Sequence, residues 1–127
     1  MASELRVDTL KDSGGNNSVG MSYVAGGSAK AWGYLNGTGT IALNDSFNVS
    51  SASDEGTAEY GFNFTNNMNN INYCWTAISG NQAGGSANMV SPHDANTTSQ
   101  VTMESWIWNA TKADKDTNNL AVFGDLA

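Results

Sequence analysis

Polar and apolar residues alternate along most of this chain, which is the pattern of half-buried β-strands. The clearest example is the segment 57–65, in which Tyr60, Phe62 and Phe64 fall on one face and the residues between them are polar or small. Apolar positions at the i, i+3, i+4 and i+7 spacing of a helix do not persist over any dozen residues. The pattern therefore predicts an all-β protein.

The same alternation predicts the remaining strands. Asn36-Gly37 favours a two-residue hairpin turn, with a wider loop through Gly39 as the alternative. The segment 79–98 is rich in Gly, Ser, Asn and Thr and is predicted to be one long loop. Strands spaced about ten residues apart are typical of an antiparallel β-sandwich or a jelly-roll-like domain. Besides the segment 57–65, the predicted strands are 19–25, 29–35, 40–43, 46–50, 71–77, 100–109 and 120–123.

The first 18 residues are expected to form an extended arm outside the sandwich. Leu5 and Val7 share one side of a short segment that could form a strand, and the residues 12–17 that follow it form a flexible break. We expect no partner strand beside this segment. The predicted organisation is an arm over residues 1–18 and a β-sandwich over residues 19–127.

The composition indicates a thin core. Hydrophobic residues make up 39% of the 127 residues, whereas Gly alone occurs 14 times. Four Trp, four Tyr and four Phe residues supply large buried areas that partly replace aliphatic side chains. A small domain with a thin core is only marginally stable by itself. We therefore expect this chain to bury further surface against copies of itself or in a larger assembly.

Charge and hydropathy exclude several classes of partner. The net charge is −7, with only five Lys and Arg residues, so the clustered cations that a nucleic-acid site requires are missing. No apolar run reaches the roughly 18 residues of a membrane span, and we expect no membrane insertion. The single cysteine excludes an internal disulfide bond.

The sequence offers few candidates for catalysis. His93 is the only histidine and is predicted to be an ordinary loop residue, while Cys74 is predicted to be a half-buried strand residue. Asp54, Glu55 and Glu59 flank a predicted turn, where we expect them to be solvated rather than paired for glycoside hydrolysis. These observations predict a protein that is not an enzyme.

A calcium-like spacing is also present near the C-terminus. Asp114, Asp116 and Asn118 stand at the first ligand positions of an EF-hand-type loop, with Asp125 at its end. Asn119 occupies the position where that loop requires glycine, and no flanking helices are predicted. We therefore predict no metal ion and no cofactor.

Two aromatic pairs are the most ambiguous feature. Trp32 and Tyr34 alternate in one predicted strand, and Trp106 and Trp108 alternate in another. Such side chains either stack on sugar rings or fill the core or an intersubunit contact, and we favour the second interpretation.

The segment from Ala29 to Thr40 resembles one that is common in fibre-type structural proteins of tailed bacteriophages, notably marine and cyanobacterial ones. That segment reads Ala-Lys-Ala-Trp, then an aromatic residue, then Asn/Asp-Gly-Thr-Gly-Thr. Residues 3–10 also look like the lead-in of those proteins, whereas residues 79–98 show no match. The resemblance continues through residues 46–51, 54–57, 60–65, 68, 71–73 and 122–125.

This resemblance implies a non-enzymatic structural protein of the virion, assembled in the host cytoplasm. A tail-fibre-type homotrimer on the particle surface would contact the host, for example a host surface polysaccharide. Its arm would dock on other virion proteins by strand addition, with Leu5, Val7 and Leu10 filling pockets. One alternative is a capsid decoration or cement protein that stabilises the head. Another alternative is a carbohydrate-binding module that uses Trp32, Trp106 or Trp108.

Overall fold

A computed structural model of the chain describes residues 3–82 and 88–127, which form ten β-strands and one short helix. The strands and the helix, in chain order, are β1 (Thr9–Lys11), β2 (Ser18–Gly20), α1 (Met21–Gly27), β3 (Ala31–Asn36), β4 (Ala42–Phe47), β5 (Val49–Gly56), β6 (Glu59–Phe64), β7 (Cys74–Gly80), β8 (Asn88–Pro92), β9 (Gln100–Ile107) and β10 (Thr117–Phe123).

Eight of these strands form two four-stranded antiparallel sheets. Sheet I has the strand order β4-β3-β10-β7, and sheet II has the order β5-β6-β9-β8. The inward side chains of both sheets meet in one hydrophobic core, so the sheets pack face to face. The all-β antiparallel sandwich predicted from the alternation is therefore confirmed.

The core follows the alternation closely. Tyr60, Phe62 and Phe64 of β6 are 1%, 0% and 6% exposed, as the pattern predicted. They pack against inward residues of sheet I, among them Leu35 of β3 and Val122 of β10. Aromatic residues of sheet II thus fill space between the sheets that aliphatic residues would otherwise occupy.

The two sheets pack tightly against each other at Gly33. A Cβ atom on Gly33 of β3 would lie 2.8 Å from Cε1 of the Phe62 ring on β6. Carbon atoms in contact normally lie about 3.5–4.0 Å apart, so only glycine fits at this position.

One predicted strand, residues 46–50, is in fact a corner between the sheets. Asn48 takes a φ of 54°, and the chain there passes from β4 of sheet I to β5 of sheet II. The Asn48 amide group donates hydrogen bonds to the carbonyl oxygens of Lys30 and Asn66 and accepts one from the Asn66 N–H. Asn is one of the few residues besides glycine that adopts this backbone conformation readily.

The connection between β3 and β4 is the wider loop rather than a two-residue turn. Asn36 pairs with Ala42, so five residues connect the strands, and Gly39 takes the positive φ of 65°. Gly37 is buried against Tyr60, where a side chain would collide with the phenol ring. Gly37 therefore serves packing here; the two-residue turn was wrong, and the alternative of a wider loop through Gly39 is confirmed.

The N-terminal region differs from the predicted bare arm. β1 pairs with β2, and α1 follows directly where a strand over residues 19–25 was predicted. Three alternating apolar positions are too few to distinguish a strand from a seven-residue helix, and α1 buries none of its residues. The sandwich begins at Ala31, and the predicted boundary at residue 18 falls inside β2.

The predicted long loop over residues 79–98 was also wrong. β7 extends to Gly80, and Asn88–Pro92 forms β8 at the edge of sheet II. Residues 83–87 lie outside the described part of the chain. The alternation pattern did not reveal β8 because the segment around it is rich in small and polar residues. In the described residues, no helix is both long and apolar enough to cross a membrane.

Candidate functional site

The outer faces of the two sheets carry the features that could give this protein a function. The outer face of sheet I carries several large apolar and aromatic side chains beside polar ones such as Thr76 and Asn119, whereas that of sheet II carries charged and polar networks. The described residues enclose no pocket, so both features are open surfaces.

The apolar face of sheet I consists of Trp32, Tyr34, Phe47 and Ile78. Trp32 lies directly opposite Phe47 in the β3–β4 pair, and Ile78 reaches this face from β7. Trp32, Phe47 and Ile78 are 38%, 54% and 63% exposed, and Tyr34 is half-buried. Among the outward positions of the four strands, Asp45 is the one charged residue. A sheet face that remains in water normally alternates to polar residues, so this face has the character of a contact surface.

A charged cluster, Glu59, His93, Glu104 and Lys112, lies on the outer face of sheet II. Glu59 of β6 and Glu104 of β9 are directly paired across the sheet. Lys112, from the loop after β9, lies 2.7 Å from Oε2 of Glu104 and also donates to Glu59. His93 Nδ1 lies 3.7 Å from a carboxylate oxygen of each glutamate. Two strands and two loops thus meet at one polar network.

Electrostatics favour the charged forms of two members of this cluster, Glu104 and Lys112. Burial opposes the charge on Glu104, but hydrogen bonds from Lys112, Trp106 and Ser91 outweigh it and lower the pKa of Glu104 to about 2. Hydrogen bonds to Glu104 and Glu59 in turn raise the pKa of Lys112. The Lys112 ammonium also lies over the Trp106 ring, 4.7 Å from its centroid, in a cation–π contact.

Lys112 limits the ability of the charged cluster to bind a metal ion. Ligand atoms of Glu59, His93 and Glu104 lie within 4.8 Å of one another, a spacing that could hold a metal ion. However, Lys112 already places a positive charge between the two carboxylates. Glu104, ionised far below neutral pH, also cannot supply the proton that a glycosidase acid must donate. The arrangement therefore works as a clamp between strands.

The predicted behaviour of the carboxylates and His93 was only partly right. Asp54 and Glu55 are exposed as predicted, although they lie near the end of β5 rather than in a turn. The Glu59 side chain, by contrast, is only 17% exposed and is paired with Lys112. His93 does follow β8 in a loop, yet its side chain is 24% exposed and lies between the two glutamates. Sequence reasoning missed these contacts because the partners come from four separate segments.

The calcium-like residues serve as hydrogen-bonding groups at different places. The Asp114 carboxylate accepts a hydrogen bond from the Ala58 N–H at 2.7 Å, and Asp116 accepts one from the Gln82 N–H. Asn118 is fully buried and bonds to Ser79. Because these oxygens face different backbone segments, the structure does not bring them together as one ligand set.

The four candidate aromatic residues are divided between the two sheets. Trp32 and Tyr34 lie on the apolar face of sheet I, and Trp106 lies beneath Lys112 on sheet II. Trp108 follows the end of β9 and is 76% exposed. None of these tryptophans fills the core, so that part of the favoured interpretation was wrong. Cys74, predicted to be half-buried, is exposed at the start of β7.

The candidate docking residues of the arm are exposed. Leu5, Val7 and Leu10 are 78%, 37% and 40% exposed, and Leu10 lies in β1 opposite Val19 of β2. Residues 3–19 are exposed throughout, so this region contributes nothing to the sandwich core. This region thus carries exposed apolar side chains outside the sandwich.

Phe47, Ile78 and Lys112 were missed as surface residues of interest. Ile78 lies at an outward position of β7, whereas the inward side chains of that strand alternate with it. An apolar residue at an outward position was the feature of the sequence that could have identified it as a surface contact residue. Phe47 was predicted to lie in a strand over residues 46–50, but that strand does not form because the chain turns a corner at Asn48.

No family model, no curated protein and no solved structure matches this chain.

Proposed function

We propose that this chain is a non-enzymatic structural protein of a tailed-bacteriophage virion, of the tail-fibre type, which forms a homotrimer on the particle surface. The observation that carries the proposal is the exposed apolar face of sheet I, with Trp32, Phe47 and Ile78 at 38%, 54% and 63% exposure. Such a face favours a protein that functions inside an assembly. The resemblance of residues 29–40 to phage fibre proteins supports the kind of assembly.

The N-terminal arm is the proposed attachment to the particle. Leu5, Val7 and Leu10 are exposed and precede or lie in the small β1–β2 hairpin, away from the sandwich core. An extended segment can add to the edge of a sheet in another virion protein of the tail or capsid through main-chain hydrogen bonds, while alternate side chains fill pockets. The sandwich would then project toward the host, where loop residues meet a surface polysaccharide.

Immunogold labelling of intact particles tests the proposed location. Antibodies against the full chain should label the tail of the virions that contain it. Labelling spread over the head would favour the capsid decoration or cement protein instead. Purified particles that contain no copy of the chain would refute both versions.

The proposed role of the arm has its own test. The double variant Leu5→Asp, Leu10→Asp should fail to incorporate into particles, because two carboxylates cannot fill apolar pockets. Ile71→Asp is the matched control, since Ile71 is 55% exposed in the loop before β7 and should incorporate normally. Incorporation of the arm variant at the wild-type level would contradict arm docking.

A carbohydrate-binding module is retained as a second candidate because Trp108 is 76% exposed beyond the end of β9. An exposed indole ring offers the flat apolar surface on which a sugar ring stacks. Titration with host surface polysaccharide should then change the tryptophan fluorescence saturably, and Trp108→Ala should abolish the change. A fluorescence signal that stays constant up to high polysaccharide concentration would exclude this candidate.

A further inference from the structure

We infer that the apolar face of sheet I (Trp32, Tyr34, Phe47 and Ile78) is the surface through which copies of this chain associate. Sheet II, with its charged cluster, then faces outward in the assembly. This inference rests on the self-association in the proposed function and adds which surface carries it.

The distribution of charge selects the face. Residues 1–30 contain three acidic and three basic residues, so the whole net charge of −7 lies on residues 31–127. The outer face of sheet II carries Glu55, Glu59 and Glu104 against Lys112, so contact between two such faces would bring together surfaces with an excess of carboxylates. The outward positions of sheet I carry only Asp45. Two acidic sandwiches can therefore approach most favourably through sheet I.

The same charge distribution favours a second copy as the occupant. A partner that recognises this protein by charge would be basic and would bind where the carboxylates lie, which is not on the apolar face. Trp32 and Phe47 instead offer aromatic rings that pack well against identical rings of another copy. Burial of this face also supplies the additional apolar contact that a thin-cored domain of this size needs.

Sedimentation velocity on the full chain tests the inference with two matched variants. Ile78 is 63% exposed on β7, the edge strand of sheet I, and Met89 is 58% exposed on β8, the edge strand of sheet II. Ile78→Asp should weaken self-association by roughly 100-fold or more, because it buries an unpaired charge in the contact. Met89→Asp should sediment as the wild type does.

A second substitution distinguishes a loss of association from a loss of folding. Phe47→Asp, at a residue 54% exposed on the same face, should also dissociate the assembly, and circular dichroism should show that both variants keep their strands. Assembly that survives in folded Ile78→Asp and Phe47→Asp, or an equal loss in Met89→Asp, would overturn the inference. Dissociation of the arm variant Leu5→Asp, Leu10→Asp would likewise overturn it, since the arm would then join the copies.

The wild-type chain gives a further readout that needs no substitution. Salt screens the repulsion between copies that each carry −7, so raising the sodium chloride concentration from about 10 mM to about 150 mM should strengthen association. Weaker association at the higher salt concentration would indicate a contact made by ion pairs and would contradict the inference. A wild-type chain that is monomeric at all concentrations would refute the self-association in the proposed function as well.

Discussion

Gly33→Ala is expected to destabilise the sandwich although it adds only one methyl group. The added Cβ atom would lie 2.8 and 2.9 Å from Cε1 and Cδ1 of Phe62, a residue that is 0% exposed. Relief requires a shift of roughly 0.7 Å in the ring or in one sheet, judged against the normal contact distance of about 3.5–4.0 Å. Because Phe62 packs in the centre of the core, neighbouring side chains resist that shift.

The magnitude follows from two opposing effects. Overpacking a core costs about 1–3 kcal/mol, while replacing glycine with alanine recovers about 0.4–1 kcal/mol by restricting the unfolded chain. The net loss in the free energy of unfolding should be about 1–2 kcal/mol. For a chain of this length, a loss of that size corresponds to a fall in Tm of roughly 5 °C.

Thermal and guanidinium unfolding measure this loss, and Gly61→Ala is the matched control. A Cβ atom at Gly61, also in a strand, meets the tips of the Ser53 and Gln100 side chains on the solvent face. These tips can rotate away, so the control should lose less than half as much stability. All variants must be compared at one protein concentration, because the Tm of an associating protein depends on it.

A double-mutant cycle identifies the contact itself. The cost of Gly33→Ala should be smaller in a Phe62→Leu background by about 1 kcal/mol, since the smaller side chain leaves room for the methyl group. The reasoning would be refuted by a Gly33→Ala variant with wild-type Tm. A cost that is identical in both backgrounds would show that the Phe62 ring is not the obstacle.

Two further predictions concern the corner and the charged cluster. Asn48→Ala removes the hydrogen bonds to Lys30 and Asn66 and places alanine at a φ of 54°, so it should lower the free energy of unfolding in guanidinium by about 2–3 kcal/mol. Asn48→Gly loses the same hydrogen bonds but tolerates that φ, so its loss should be about 1 kcal/mol smaller. Equal losses in the two variants would contradict a contribution from the backbone conformation. The pKa of Glu104 falls from 4.5 to about 2 on folding, so the unfolded chain takes up its proton first and stability is lost as the pH falls through this window. In Glu104→Gln, the free energy of unfolding should fall less steeply than in the wild type between pH 4.5 and about 2. An unchanged dependence on pH would show that the contacts of Glu104 with Lys112 do not cause the loss of stability in acid.

The inward residues were predictable because strand parity is a local property. Tyr60, Phe62 and Phe64 alternate with polar or small residues, and successive side chains of a strand point to opposite faces whatever the partners are. The alternation therefore predicted the sandwich class and the face of β6 that is buried. It failed where the signal was short, as in α1, or where few large apolar side chains were present, as in β8.

The charged cluster could not be predicted because its members are far apart in the chain. Glu59, His93, Glu104 and Lys112 come together only when β6, β9 and β8 pair in that order and the loop after β9 folds back over them. Each residue alone was compatible with a solvated position. Pairing order depends on long-range packing, which parity does not encode.

The amino-acid sequence by itself thus determined the all-β class and, for strands with a clear alternation such as β6, which side is buried, because both follow from a two-residue period. Only the tertiary structure decided which strands are neighbours, so that the last strand, β10, lies in the middle of sheet I between β3 and β7. It also decided that Trp32 and Phe47 face outward together, since that depends on the turn of the chain at Asn48. Local periodicity specifies the faces of strands, whereas the packing of distant segments specifies what each face meets.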